Sequence, residues 1–367
     1  MSDKKNILLV SSAFYPEISP RSFRATELAK EFFRQGHSVT VITKHRDADY
    51  SDLLNEYPFQ FKMWKKVSFP SVPQFESKPL SIISAVLTRL LLMFFEYPGI
   101  EEMFRVRKML KTEKDYDLMI SFAVPYPVHW GVAWSRKKSH RISKTWVADC
   151  GDPYMGDVLD SFRKLFYFSF LEKAFFRKAD AVAIPVESAI DSYYKQFHDK
   201  IKIIPQGFDF DINKPKSEVN NKVPQFAYAG GFLKGIRDPE LLLSFLSKIA
   251  KPFVFHVFTN QPELLLPYKE RLKDKLNIRA YIPRSELMEV LGKMDFLINF
   301  DNNTTRNVPS KLIDYAITGR PVLNIDKNFQ FNCIEKFIEQ DYSNKLKLPD
   351  INNYHISNIS RSFLDIM

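Results

Sequence analysis

Cysteine is almost absent from the 367-residue chain: only Cys150 and Cys333 occur. They stand far apart and form no metal-ligand spacing, which argues against a disulfide framework or a zinc module. Two free thiols in a reducing cytoplasm are expected instead. A long apolar run is also lacking. The most apolar segment is "LSIISAVLTRLLLMFF", Leu80 to Phe95. It is shorter than the ~20 residues a spanning helix needs, and Arg89 at its centre would cost roughly 2.5–3.5 kcal/mol in a bilayer. A buried helix and a helix lying on a membrane surface both fit it. The opening "MSDKKNILLVSS" has too short an apolar stretch for a secretory leader and fits a first core strand. A basic-aromatic motif for nucleic acid is missing, and so is a convincing nucleophile–base pair.

What the chain does have is positive charge, 53 Lys and Arg against 43 Asp and Glu, a net +10. That suits a phosphate-bearing partner without choosing among nucleotide, nucleic acid and anionic lipid. With 45% hydrophobic and 26% charged residues the composition is that of an ordinary globular protein. The length calls for two domains of about 150–200 residues.

Strand-like and helix-like stretches alternate. "NILLVSSAF" reads as a buried strand, "FRATELAKEFFRQGH" as a helix stopped by Gly36, and "SVTVIT" as the next strand. Such a βαβ unit implies a parallel sheet with crossover helices. The alternation returns in "YDLMISFA", "VHWGVAWSRKK" and "KTWVADC", a long helix from about Asp157 to Lys178, then "ADAVAIP" and "KIKIIPQGFD". The Asn-, Lys- and Pro-rich "DINKPKSEVNNKVP" is the best linker. Beyond it the pattern restarts with "QFAYAGG", "DPELLLSFLSKI" and "FVFHVFT" and runs to "PVLNID". Two doubly wound halves result, and their ligands belong at the carboxyl ends of strands.

The stretch "NVPSKLIDYAITGRPVL", Asn307 to Leu323, carries the chemistry. Pro309 suits a first helical position, with Ser310 and Lys311 in the first turn. There, free N–H groups and the positive dipole end attract an anion. Asp314, one turn on, can accept hydrogen bonds from a diol such as ribose. On spacing alone, an ordinary capped helix with an exposed lysine fits equally well.

This stretch resembles the nucleotide-sugar signature of GT-B glycosyltransferases of the retaining, family 4-like group, roughly P-S/G-K-hydrophobic-hydrophobic-E-Y followed by G-K/R-P. The likeness extends over nearly the whole chain. "ILLVSSAFYPEISPRSFRATELAKEFFRQGHSVTVIT", "ADAVAIPVES", "IKIIPQGFD", "FAYAGGFLKGIRDPELLL" and "TWVADCGDPY" are similar to the group's segments in the same order. The resemblance implies an α/β protein of GT-B architecture, two Rossmann-like doubly wound parallel-sheet domains facing a central cleft. Residues 1–208 would form the acceptor side and 209–350 the nucleotide-sugar side, with 351–367 packing back onto the first.

Residue by residue, the resemblance implies a donor site of Gly230, Gly231, Lys234, Arg237, Arg306, Pro309, Ser310, Lys311 and Asp314. Asp314 stands at the family's ribose-binding Glu and is one methylene shorter. Arg306 replaces the first Glu of the family's paired motif. Arg237 falls on the donor diphosphate, with Lys234 as substitute for a missing upstream arginine. Ser19, Arg21 and Arg24 occupy the loop that is Gly-rich in the family; Arg24 is equally an ordinary helix residue. His129 matches a histidine after a strand end that faces the cleft, and Asp149 and Asp152 end another strand as candidates to orient sugar hydroxyls. "DFDI" at Asp209 resembles a metal-binding pair, but a structural role fits its place by the linker better. The implied activity is retaining transfer from a nucleotide-diphosphate sugar, with no metal and no other cofactor. The acceptor would be a saccharide, one carried on polyprenyl diphosphate in cell-surface polysaccharide synthesis, reached from the cytoplasm at the inner face of an anionic membrane. Nucleic acid is not an expected partner. A non-catalytic GT-B scaffold and a GT-B sugar-nucleotide epimerase are the rival expectations.

Overall fold

The computed structural model describes residues 3–65, 68–73, 77–137, 139–156, 163–210, 219–233, 235, 237–301, 310–326 and 329–367. The chain divides into two compact units, Met1–Asp209 with Asn353–Met367, and Phe210–Asn352.

Unit 1 contains β1 (Asn6–Ser11), α1 (Pro20–Arg34), β2 (Ser38–Lys44), α2 (Ser51–Glu56), β3 (Gln60–Trp64), α3 (Lys78–Phe95) and α4 (Glu101–Leu110). It continues with β4 (Tyr116–Ala123), α5 (Pro127–Ser135), β5 (Ser143–Cys150), α6 (Phe168–Lys178), β6 (Ala181–Ile184) and β7 (Ile201–Ile203). Its sheet has the order β3-β2-β1-β4-β5-β6-β7, and every pairing is parallel. The near-continuous apolar strands are explained by burial on both faces. Val10, Met119 and Ala148 point into one core while Leu9, Ile120 and Val147 point into the other. The long helix expected from Asp157 is shorter among the described residues. α6 begins at Phe168, after an irregular 163–167.

Unit 2 holds β8 (Gln225–Ala229), α7 (Glu240–Leu246), β9 (Val254–Phe258), α8 (Leu266–Leu272), β10 (Leu276–Arg279) and α9 (Arg284–Gly292). β11 (Phe296–Phe300), α10 (Ser310–Thr318), β12 (Val322–Ile325) and α11 (Asn332–Ile338) follow. The parallel order is β10-β9-β8-β11-β12. The last helix, α12 (Ile356–Leu364), returns to unit 1, where Ile356, Ile359 and Phe363 join the core beside α1. In both sheets the order reverses around the first strand of the unit, between β1 and β4 and between β8 and β11. In open α/β sheets such a reversal of strand order is where ligands bind, at the carboxyl ends of the strands.

The apolar segment forms α3, which is largely exposed. Ser84 is buried, but Ile82, Ile83, Val86, Leu87, Leu90 and Phe95 are exposed. The helix is not a core element. Its end is held firmly: Glu96 takes a left-handed conformation (φ 52°) and accepts hydrogen bonds from Tyr154 Oη at 2.7 Å and Lys164 Nζ at 2.5 Å. Among the described residues no helix is long and apolar enough to cross a membrane.

Candidate functional site

In unit 2 the site forms where β8 ends and α10 begins. Gly230 has φ +148°, a conformation that L side chains rarely adopt, and its N–H donates to Phe258 O at 3.0 Å. A Cβ on Gly230 would meet Tyr228 Oη at 3.0 Å. The neighbouring N–H of Phe232 donates to Gln261 Oε1 at 2.6 Å. Arg237 is presented by a short bridge to Leu233, made by backbone bonds of 2.8 and 3.2 Å.

Lys311 occupies the first turn of α10. Its Nζ is buried, has no hydrogen-bond partner among the described residues, and lies 5.0 Å from the centroid of the Tyr228 ring. Burial, then the nearby Arg237 guanidinium, push its pKa down to about 8, with Asp301 acting the other way. Nε of Arg237 is likewise buried and unpartnered among the described residues. Arg237 also acts on the hydroxyls of Tyr228 and Tyr281, both raised by burial. Two cations crowded together in a desolvated place, each with a donor unused, describe a seat for an anion.

Asp314, the expected diol acceptor, is engaged. Its Oδ1 accepts from Arg284 Nε at 3.0 Å and Nη2 at 2.5 Å, and burial raises its pKa against that pairing. Tyr315, next in the motif, is buried, and its Oη accepts from the Ala229 N–H at 3.1 Å, tying α10 to the end of β8. Gly319 ends α10 at φ +68°. Gly231 lies beside Gln261. Ser310 opens α10, whereas Lys234, Arg306 and Pro309 lie outside the described residues. Tyr228, Tyr281 and Arg284 escaped the sequence reading. Tyr228, two residues before Gly230 in "QFAYAGG", was the one available signal.

In unit 1 the corresponding edge is organised by Asp149 at the end of β5. Its carboxylate is fully buried, bonded through Oδ2 to Arg24 Nε and through Oδ1 to Arg21 Nη1 at 3.3 Å. Arg24 is buried too; its other nitrogens donate to the carbonyls of Pro205 and Ile204. Arg24 is therefore a structural clasp joining α1, β5 and the end of β7, not a surface residue. Asp149 is likewise corrected: with both oxygens committed to guanidinium groups, it orders arginines and does not hold sugar hydroxyls. Arg21 keeps some exposure and lies over Gly151, where a Cβ would come within 1.7 Å of its Nη2. Glycine at 151 is what lets that guanidinium sit there. Ser19 caps α1, its Oγ accepting from the Ser22 N–H at 3.2 Å. Asp152 is exposed, and its backbone carbonyl accepts from Tyr126 Oη.

His129 departs most from expectation. It does not face open space: its ring is wholly buried beside Tyr126 and Phe175. Nδ1 lies 2.8 Å from Ser121 Oγ and Nε2 lies 3.5 Å from Cys150 Sγ. Burial pushes its pKa down to about 3. It stays neutral and holds β4 and β5 together. Asp209 pairs with Arg34 at 2.9 Å, a structural contact. Among the described residues no cluster of three or more His, Cys, Asp or Glu side chains stands ready for a metal ion.

The family model described as Glycosyltransferase Family 4 matches residues 23–212, just over half of the chain. The chain belongs to glycosyltransferase family 4. Solved structures agree on the fold. A glycosyltransferase from Rickettsia africae ESF-5 superposes with a TM-score of 0.61 at 13% identity, covering 99% of this chain and 98% of that one. The lipopolysaccharide outer core galactosyltransferase WaaB in its apo form gives 0.59 at 11% identity, covering 98% of both chains. TarM gives 0.57 at 11% identity, covering 99% and 95%. No curated protein matches the sequence. The two parallel α/β units and these neighbours make the architecture GT-B, and the family membership makes the chain a glycosyltransferase.

Proposed function

We propose that this family 4 glycosyltransferase moves a sugar, with retention, from a nucleotide-diphosphate sugar to a lipid-linked saccharide in cell-surface polysaccharide synthesis. The observation that carries the donor half is the Lys311–Arg237 pair, mutually repelling and with a buried donor nitrogen unused on each. A diphosphate relieves the repulsion, and each charge-assisted hydrogen bond contributes about 1.5–3 kcal/mol. In this reading Lys311 and Arg237 supply the positive charge at the leaving group, so no metal is required. The C1–O bond to phosphate breaks, the acceptor oxygen bonds C1 on the same face, and its proton passes to the departing phosphate. The protein contributes position and charge stabilisation. Asp314 addresses the ribose through the lone pairs that Arg284 leaves it. A UDP-and-glucose complex of Anabaena Alr3699/HepE, with a TM-score of 0.51, is a supporting precedent for the fold's ligands.

Partly buried Arg21, beside Asp149 and Gly151, is the unit 1 group best suited to an acceptor phosphate. A lipid-linked acceptor is supported by α3, whose apolar surface is accompanied by exposed Lys65 and Lys78, the arrangement of a helix docking on anionic lipid. Thermal-shift titration with UDP, GDP, CMP and their sugar conjugates tests the donor reading, since a ligand of the native state raises the melting temperature with occupancy. One nucleotide family is expected to stabilise the chain. If none does, the transfer reading fails and a scaffold replaces it.

A further inference from the structure

A cavity of about 370 Å³ opens on unit 1 between α4, α5 and α6, within the roughly 300–1,000 Å³ typical of small-molecule sites. Met103, Trp130, Ala133, Trp134, Leu171 and Ala174 line it, and Lys178 closes one end. The lining is apolar almost throughout, and exposed Phe104 stands at its edge, 5.7 Å ring to ring from Trp134. None of the donor-site residues takes part.

The rim is predominantly basic. The last turns of α4 and α6 carry Arg107, Lys108, Arg177 and Lys178, and α5 is followed at once by Arg136 and Lys137. Arg107 sits 3.7 Å above the Trp134 ring. Lys137 and Arg136 push the pKa of Lys178 further down after its burial; Arg136 is itself paired with Asp180 at 2.7 Å, which leaves Arg107, Lys108 and Arg177 as the cations turned to a ligand. The acids of these helices lie inside: Glu101, Glu102 and Glu172 are buried. An apolar slot with a cationic rim is complementary to an amphiphile bearing an anionic head.

We propose that this pocket binds one acyl chain of an anionic phospholipid, its phosphate resting on the Arg107–Lys178 rim. The position favours a bilayer lipid over the acceptor's own isoprenyl chain. α5 and α6 run away from the carboxyl edge, so Ala133, Trp134 and Lys178 mark the end remote from Arg21 and Asp149. The slot's wall is also tied to α3, the helix that the proposed function reads as docking on lipid. Trp130 packs 5.4 Å from Tyr154, whose hydroxyl bonds Glu96 at the end of α3. Lipid capture here and nucleotide binding in unit 2 are separate outcomes, so one fails without the other.

Tryptophan fluorescence of the full chain reads the pocket directly. Trp130 and Trp134 line it, whereas Trp64 and Trp146 are sealed in the sheet core. Vesicles of phosphatidylglycerol with brominated chains should quench the emission, and brominated phosphatidylcholine should quench it far less. Filling the slot with Ala174→Phe should remove most of the quenching. Should that variant melt early, Arg107→Gln on the rim carries the test, with about fivefold weaker binding to phosphatidylglycerol vesicles expected. Equal quenching by the two lipids, or full quenching in Ala174→Phe, overturns the site. So does reversal of quenching by unbrominated polyprenyl phosphate where unbrominated phosphatidylglycerol fails, which would give the slot to the acceptor.

Discussion

The two units place basic side chains at matching carboxyl edges and use them in opposite ways. In unit 1 one buried carboxylate, Asp149, sits between Arg24 and Arg21, and the spare nitrogens of Arg24 end on backbone carbonyls. In unit 2 Lys311 and Arg237 crowd each other with buried nitrogens unused among the described residues. A charge satisfied by its own fold can only hold that fold together. A charge left wanting is available to a ligand, and the fold bears the cost of keeping it so. Motif position cannot distinguish the two cases; hydrogen-bond accounting does.

The largest effect that sharpens this contrast belongs to Asp149→Ala. Removing one member of a buried ion pair typically costs about 3–5 kcal/mol. The midpoint of chemical denaturation should fall accordingly, while folded protein keeps its nucleotide affinity. A stable variant with weakened binding would place Asp149 in the ligand's path and break the comparison. Lys311→Met should do the reverse. Its denaturation midpoint should hold or rise, because a buried charge is gone, while calorimetric nucleotide affinity drops roughly tenfold to a hundredfold, in line with one lost charge-assisted bond.

A smaller effect comes from pH. The free protein's Lys311 has its pKa lowered to about 8, below the unfolded lysine value, so its charge destabilises the native state fully below about 8, and the penalty fades as pH rises from there to the unfolded lysine value. A bound diphosphate favours that charged form. Nucleotide affinity should therefore decline as pH is raised from 7 to 9, and the decline should vanish in Lys311→Met. Smallest of all is Arg284→Gln. This half-exposed partner of Asp314 makes a pair worth about 0–1 kcal/mol. Nucleotide affinity should shift by less than about fivefold, upward if release of Asp314 improves its grip on ribose.

Much of the architecture was legible because parallel strands buried on both faces are written as unbroken apolar runs. "NILLVS", "YDLMISFA" and "FLINF" became β1, β4 and β11. The end of α10 was legible for a similar local reason, since Gly319 supplies a positive φ. Lys311 and Arg237 were legible as cations but not as a repelling pair, because they follow different strands, Arg237 after β8 and Lys311 in the first turn of α10 after β11. His129 and Arg24 misled for the same cause. Burial and partners depend on Ser121, Cys150, Ile204 and Pro205, residues in other elements of the fold. The exposure of α3 was equally hidden, as a helix apolar on most sides fits a core and a lipid surface alike.

The most direct test is calorimetric titration with the nucleoside diphosphate that stabilises the chain, run at pH 8.5 in two buffers of different ionisation enthalpy. If a diphosphate rests on Lys311 and Arg237, the apparent binding heats will differ between buffers because Lys311 takes up a proton on binding, and Lys311→Met will abolish that difference. Buffer-independent heats in the wild-type chain, with affinity unchanged in Lys311→Met, would contradict the account.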